Sequence, residues 1–438
     1  MATLPILVAL ALSSFAPEPD PTRVAYLKEH AVRVRSIDPA DDDFSDLAPV
    51  KAAIGDAGVV LLGEQSHGDG ACFLAKGRLV RFLHKECGFE VLAFESGFYD
   101  LLALDEAWRR GEPADRAHEL GIFGIWSLSK EAWPAIEYAH STYATGRPLT
   151  VAGFDCQITS EAGAKSLAGF LVKHLNAGAE RATPEDAAAL EQLADYAWGF
   201  TSGGQKRSSL DVPAEPFAAG RRVRELLRAH RGALVAEHGE RAQAIAELAS
   251  DNLNSLADQC AWGMEEIRRS VSVRDEAMGK ALVALVRRVH PGKRIVVWAA
   301  SSHNSRGREH VARDENDAAW KEFRPMGSWA YDELGDSMYS IAFTAARGRA
   351  ANLARPSSWE IGEPIAGSLE EAWDATGWEY GFLGLRAVRD AENPESAWLR
   401  EPLPARPMGY AWDTAEWPMV FDAFFWTRTM TRSHRRTP

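Results

Sequence analysis

Five short, almost wholly apolar runs stand out along the chain: VVLLGE (59–64), VLAFES (91–96), LTVAGFD (149–155), RIVVWAA (294–300) and MYSIAFT (338–344). Runs of this length, bounded by polar or turn residues, read as strands buried on both faces. Between the first two, CFLAKGRLVRFLHKECGF (72–89) places Phe73, Leu74, Leu79, Val80, Phe82 and Leu83 at helical spacing, with cations on the opposite face. Strand, helix, strand in succession make a βαβ unit, which implies parallel neighbours and a right-handed crossover. Upstream, Ala25–Val34 reads as a short amphipathic helix and LAPVKAAIGDAG (47–58) as another. From Ser160 to His290 the strand pattern gives way to alanine-rich helical periodicity. There Thr183 is placed as an N-cap with Pro184 at the first helical position, and TSGGQKRSS (201–209) as an exposed loop. Beyond residue 350, GFLGLRAV and MVFDAFFW predict edge strands added to the same sheet. The expected fold is α/β, a central, largely parallel β-sheet flanked by helices, with a large helical insertion. Its expected divisions are 1–22, a signal peptide or disordered leader; 23–160, the first part of the α/β core; 161–290, the helical insertion; and 291–438, the second part of the core.

Composition narrows this picture only a little. The 438 residues, 46% hydrophobic and 25% charged, are ordinary for a globular protein. A formal net charge of −13 speaks against nucleic acid or an anionic membrane as partner, since both select for clustered Lys and Arg. The four cysteines (72, 87, 156 and 260) show no C-x-x-C spacing, so neither a zinc site nor a disulfide framework is indicated. Buried thiols are expected, with a Cys72–Cys87 bridge the open alternative. Leu4–Ala16 has the length of a signal-peptide apolar region and is too short to span a bilayer. The expectation is an exported protein without a transmembrane segment, against a cytoplasmic one with an N-terminal extension.

The chemistry is expected where the strands end. In open parallel sheets ligands bind beyond the carboxyl ends of the strands, and there the sequence places Glu64 and His67, Glu95, Asp155 and His303. Each alone has an ordinary reading: a solvated loop glutamate, a helix-capping aspartate, a surface histidine. Their joint occurrence at the ends of four strands predicts one convergent site. An imidazole held by a carboxylate is a general base near neutral pH. No G-x-S-x-G elbow, Walker loop, G-x-G-x-x-G or H-E-x-x-H is present, and nothing marks Ser66 or Ser302 as a nucleophile. Two histidines and several acids are also a donor set for zinc or manganese, though without diagnostic spacing. The direct reading is water activated by a histidine, oriented by acids, with no cofactor.

The segments LLGEQSHGDG, KGRLVRFLHKECGFEVLAFES, GFDCQ, RDEAMG, VVWAASSHN and GSWAYDELGDSMYSIAFT come in the order and spacing of the erythromycin esterase family, which the chain resembles from about Val24 to FDAFFW. The G-E-x-x-H-G block with a downstream AFE is the most specific of these. The resemblance implies an α/β core with a large helical portion and metal-independent hydrolysis of an ester or lactone. A macrolide ring is among the implied substrates, and with it antibiotic resistance. It gives His67 the role of general base on water and Glu95 that of the acid near it. Glu64 and Gly63 belong to the signature loop, and His303 to the second histidine of a W-A-H-N-x-H pattern. Lys76, Arg274 and Asp155 fall on the substrate side, with Asp275 beside Arg274. One departure stands out: the pattern's first histidine is Ala300 here. Loss of a polar group from a working site costs on the order of tenfold to a thousandfold in rate. Two further readings therefore stand beside the esterase, namely a non-catalytic or altered-specificity relative that binds a small ligand, and a metal-dependent hydrolase.

Overall fold

The computed structural model describes residues 18–202, 214–262, 266–312, 323–355, 357–391 and 393–437. The strands among them are β1 (Val32–Val34), β2 (Val59–Leu62), β3 (Phe89–Gly97), β4 (Thr150–Asp155), β5 (Arg294–Trp298), β6 (Val311–Ala312), β7 (Met338–Asn352), β8 (Ser357–Ile361), β9 (Tyr380–Gly384), β10 (Leu403–Ala405), β11 (Asp413–Ala415) and β12 (Ala423–Met430). The main sheet has the order β1-β9-β12-β7-β2-β5-β3-β4, with β8 folded back antiparallel on the end of β7. From β12 to β4 every neighbouring pair is parallel. At the far edge β9 runs antiparallel to β12, and β1, antiparallel in turn to β9, runs in the same direction as the parallel block. The short strands β10, β11 and β6 form a separate antiparallel sheet.

The continuous apolar runs follow from coverage on both faces. Val60, Leu62, Leu92, Phe94, Val296 and Trp298 join a core layer with the helix Gly70–Cys87. The residues between them, Val59, Leu61, Val91, Ala93, Ile295 and Val297, point the other way into a layer built by the later helices. Side chains alternate faces along a strand, so two covered faces leave no polar position.

Six α-helices run between β4 and β5 among the described residues: Glu161–Leu175, Pro184–Thr201, Ala214–Ala229, Arg231–His238, Glu240–Trp262 and Ile267–Ala284. Thr183 caps the second in a reciprocal capping box with Asp186. Most of the loop expected at 201–209, and the apolar leader, lie outside the described residues.

Several expectations need correction. The first helix is Pro21–His30, and Val32–Val34 is a strand paired with β9, because its backbone groups are taken up by that edge. MVFDAFFW supplies β12, which lies between β9 and β7 rather than at an edge. The cations of the Gly70–Cys87 helix do not all face solvent. Arg78 is buried, its guanidinium held by Asp46 and the carbonyls of Ser36 and Asp43, and Lys76 is buried as well. All four cysteines are buried free thiols, so there is no Cys72–Cys87 bridge. No described helix is long and apolar enough to cross a membrane.

Candidate active site

Sheet order decides which residues meet. β2, β5, β3 and β4 are consecutive parallel strands, so Glu64, Ala300, Glu95 and Asp155 leave the sheet on the same side. Gly63 is required for close approach rather than for turning. A Cβ there would lie 2.4 Å from Ser301 Oγ and 3.1 Å from the Ile341 carbonyl oxygen. At the end of β3 the register with β4 shifts between Phe94 and Gly97, an irregularity that contains Glu95. Bulges of this kind re-aim a side chain. The bulged backbone presses on Gly153, where a Cβ would be 2.4 Å from the Gly97 carbonyl oxygen.

Two ionic clusters result. In the first, Glu64 is wholly buried and its carboxylate accepts from His67 Nδ1 at 2.9 Å, Trp126 Nε1 at 2.9 Å and Lys76 Nζ at 2.5 Å. Burial opposes ionisation of Glu64, but the Lys76 charge and the hydrogen bond from His67 outweigh it and hold its pKa below the usual value. The Lys76 ammonium also lies 4.2 Å from the centre of the Trp298 ring. A carboxylate can only accept, so His67 Nδ1 carries a proton, which in the neutral ring leaves the lone pair on Nε2. Trp126 meets the His67 ring edge-on, with centroids 5.8 Å apart. Asp69 closes the turn beneath by accepting the Ser66 amide at 2.8 Å.

The second cluster lies across β5. Arg274, from the helix Ile267–Ala284, donates to Asp155 at 2.5 Å and to Glu95 at 2.9 Å. His303 places Nδ1 at 2.8 Å from Asp275 Oδ1 and Nε2 at 3.3 Å from Glu95 Oε1. The second Glu95 oxygen accepts the Ala300 amide at 3.0 Å. Burial works against the charge on Glu95, yet His303, Arg274 and His67 bring its pKa down to about 2. Burial works against the charge on His303 too, yet Asp275 and Glu95 raise its pKa to about 9. Nδ1 donates to Asp275 and Nε2 lies in ion-pair range of Glu95, so with its pKa raised to about 9 this histidine is an imidazolium at neutral pH and has no lone pair to act as a base.

The two shifts define a stability window. Glu95, lowered from 4.5, contributes stability that is present above its unfolded pKa and is lost as pH falls from 4.5 towards 2. His303, raised from 6.5, contributes stability that is complete below 6.5 and is lost as pH rises through about 9. We expect the urea midpoint to fall between pH 6.5 and 9, and Asp275→Asn to flatten that alkaline decline. An identical alkaline decline in the variant would rule out the His303–Asp275 pair as its source.

The structure thus brings Glu64 to His67, and Glu95, Asp155, Arg274 and Asp275 to the surroundings of His303. Three details of the sequence reading change. The carboxylate that holds His67 is Glu64, because Glu95 is engaged by Arg274, His303 and the Ala300 amide. Lys76 and Asp155 show no exposed side-chain surface, so their contacts are with Glu64 and Arg274 rather than with a bound molecule. Trp126 was missed, and a lone tryptophan among fifteen carries no local signal for it. The side chains that retain surface are His67 (30%), Arg274 (16%) and His303 (12%), whereas the carboxylates they meet, Glu64, Asp155 and Glu95, are buried. Among the described residues no group of three His, Cys, Asp or Glu side chains is arranged to hold a metal ion. Arg274 already fills the space between Glu95 and Asp155.

Comparison with known proteins agrees with this architecture. The erythromycin esterase family model matches residues 84–430. YbfO of Bacillus subtilis (strain 168), which carries a provisional hydrolase name, is 22% identical over 98% of this chain and 97% of its own. Erythromycin esterase type II of Escherichia coli is 39% identical over 83 residues, 19% of each chain. Among solved structures, a Bacillus cereus protein superposes with a TM-score of 0.77 at 18% identity, covering 96% of this chain and 100% of that one. A mutant of the erythromycin esterase EreC in its open conformation superposes with a TM-score of 0.67 at 16% identity, covering 92% and 98%. With the family model spanning most of its length, this chain belongs to the erythromycin esterase family.

Proposed function

We propose that the protein is a hydrolase that cleaves a carboxylic ester or lactone with water activated by His67. The observation that carries this reading is the 2.9 Å contact between His67 Nδ1 and the buried Glu64 carboxylate. In the neutral ring it leaves Nε2 of this partly exposed side chain as the basic atom. Water loses a proton to Nε2 as its oxygen bonds to the acyl carbon. The tetrahedral oxyanion then collapses, the carbon–oxygen bond of the ester breaks, and the same proton passes from His67 to the leaving alkoxide. The products are an acid and an alcohol, joined in one molecule when the substrate is a lactone.

His303 as imidazolium and Arg274 as guanidinium present positive charge beside the reacting carbon, where an oxyanion develops. Glu95, Asp275 and Asp155 hold these two cations in place. A macrolide is one candidate lactone. Position 300 sets it apart from the family pattern, since Ala300 supplies only its backbone amide, and that amide is spent on Glu95.

The test is turnover of a panel of aryl esters, alkyl esters and macrolactones in heavy-oxygen water. The expected result is hydrolysis of at least one member, with solvent oxygen in the acid product. Absence of turnover together with a ligand-induced rise in melting temperature would instead support a binding relative, the reading that the missing histidine at position 300 favours. Activity lost to a chelator and restored by zinc or manganese would support a metal-dependent hydrolase.

A further inference from the structure

At the other end of the same sheet, where β4 and β5 begin, a cavity of about 830 Å³ opens beside Thr150 and Lys293. That is within the range of roughly 300–1,000 Å³ usual for small-molecule sites. Its sides are unlike. Tyr99, Leu102, Phe170 and Ile245 form an apolar wall, with the Tyr99 and Phe170 rings 5.2 Å apart. The other side gathers Arg109, Arg241, Lys293 and His290.

His290 is the informative member. It is 7% exposed, it lines the cavity, and its ring nitrogens have no hydrogen-bond or ion-pair partner among the described residues. Burial lowers its pKa to about 4, assisted by Arg241, Lys293 and Arg109 and opposed by Asp105. The imidazole is therefore neutral, with three cations around it. A neutral imidazole that lines a cavity and has no protein partner can offer its N–H to a bound molecule. Arg109 is already paired with Asp105 at 3.0 Å, and Lys293 is 3.5 Å from Glu90. Arg241 donates through Nε to the Val289 carbonyl at 3.0 Å and has no carboxylate partner among the described residues. Asp105 is further engaged by the Tyr143 hydroxyl at 2.5 Å, which leaves Glu106 as the cavity's one other acid. The polar side thus offers Arg241 and His290 to an anion.

We propose that this cavity is a second binding site, for a small amphiphile whose anionic head meets Arg241 and His290 and whose apolar tail lies along Tyr99, Phe170 and Ile245. The site is separate from the candidate active site, which is at the opposite ends of these strands. The helix Ile267–Ala284, which carries Arg274 and Asp275, continues through a π-helical turn, Leu285–Val289, straight into His290. One continuous element therefore joins the two places.

Decanoate is a suitable probe, titrated calorimetrically into the full-length protein. One molecule should bind per chain, and decyltrimethylammonium, of opposite charge and similar tail, should bind at least about tenfold more weakly. Ala242→Trp, which fills the cavity from a half-buried wall position, and Arg241→Leu should each weaken decanoate by about tenfold or more. Ala103→Trp fills it from a different helix should Ala242→Trp not fold. His67→Ala should leave decanoate affinity unchanged, which separates this site from the hydrolytic one whether or not turnover is found. No saturable binding of decanoate, equal binding of the cationic probe, indifference to the filling variants, or loss of binding in His67→Ala would each overturn the proposal.

Discussion

Replacing His67 by alanine is expected to lower kcat/KM on any ester that the protein hydrolyses by about 10²–10⁴-fold, the usual contribution of a positioned general base. The loss should fall on kcat, because the imidazole takes a proton in the transition state and adds little to ground-state binding. Melting temperature should hardly move, since the His67 side chain is 30% exposed and lies outside the hydrophobic core. Glu64 accepts from Nδ1 and cannot donate, so the second nitrogen is the free one. A variant with kcat within a few-fold of the wild type on every substrate would remove His67 from the chemistry. His303 could not take its place, because it is held as an imidazolium between Asp275 and Glu95 at neutral pH.

Lys76→Met should have the largest effect on stability. Lys76 and Glu64 have no exposed side-chain surface and are 2.5 Å apart. Removing the ammonium strands a buried carboxylate, which typically costs about 3–5 kcal/mol. Urea denaturation at neutral pH measures this, and a loss below about 1 kcal/mol would contradict an uncompensated Glu64 charge. The loss should shrink as pH falls. In the wild type the Glu64 pKa is held down, so its contribution is lost on acidification. In the variant burial acts unopposed by Lys76, and proton uptake relieves the strain. Adding Glu64→Gln to Lys76→Met should recover part of the stability at pH 7 and abolish the acid-side convergence. It should not recover activity, since the carboxylate that stabilises a protonated His67 is then gone.

Tryptophan usage shows how local and distant information divide. Trp126 donates to Glu64 and Trp298 lies under Lys76, whereas Trp373 and Trp426 merely stack in a core, their ring centroids 5.7 Å apart. All four are buried; Trp298 stands in the VVWAASSHN segment, but nothing in the residues flanking Trp126 separates it from the core pair.

What the chain determined by itself was everything with a short period or a fixed local geometry. The runs at 59–64, 91–96, 149–155, 294–300 and 338–344 are strands because β-structure covered on both faces leaves no polar position. Residues after Ser160 are helical because their apolar positions recur at helical spacing, and Thr183 caps because its neighbours at 184 and 186 complete the motif. The placing of ionisable residues at strand ends was equally legible, and so was the family. Tertiary structure alone decided the partners. Which carboxylate reaches which imidazole depends on the order β2-β5-β3-β4 and on the register shift that turns Glu95. That order puts β5 between β2 and β3 although the chain reaches it only after the long helical stretch from Asp155 to Arg294, beyond the reach of any local pattern. The contact of His67 with Glu64, three residues away in one loop, is local, whereas the strand order turned His303 into a cation and drew Lys76 inside. It also brought Arg274 from a distant helix to stand between two acids.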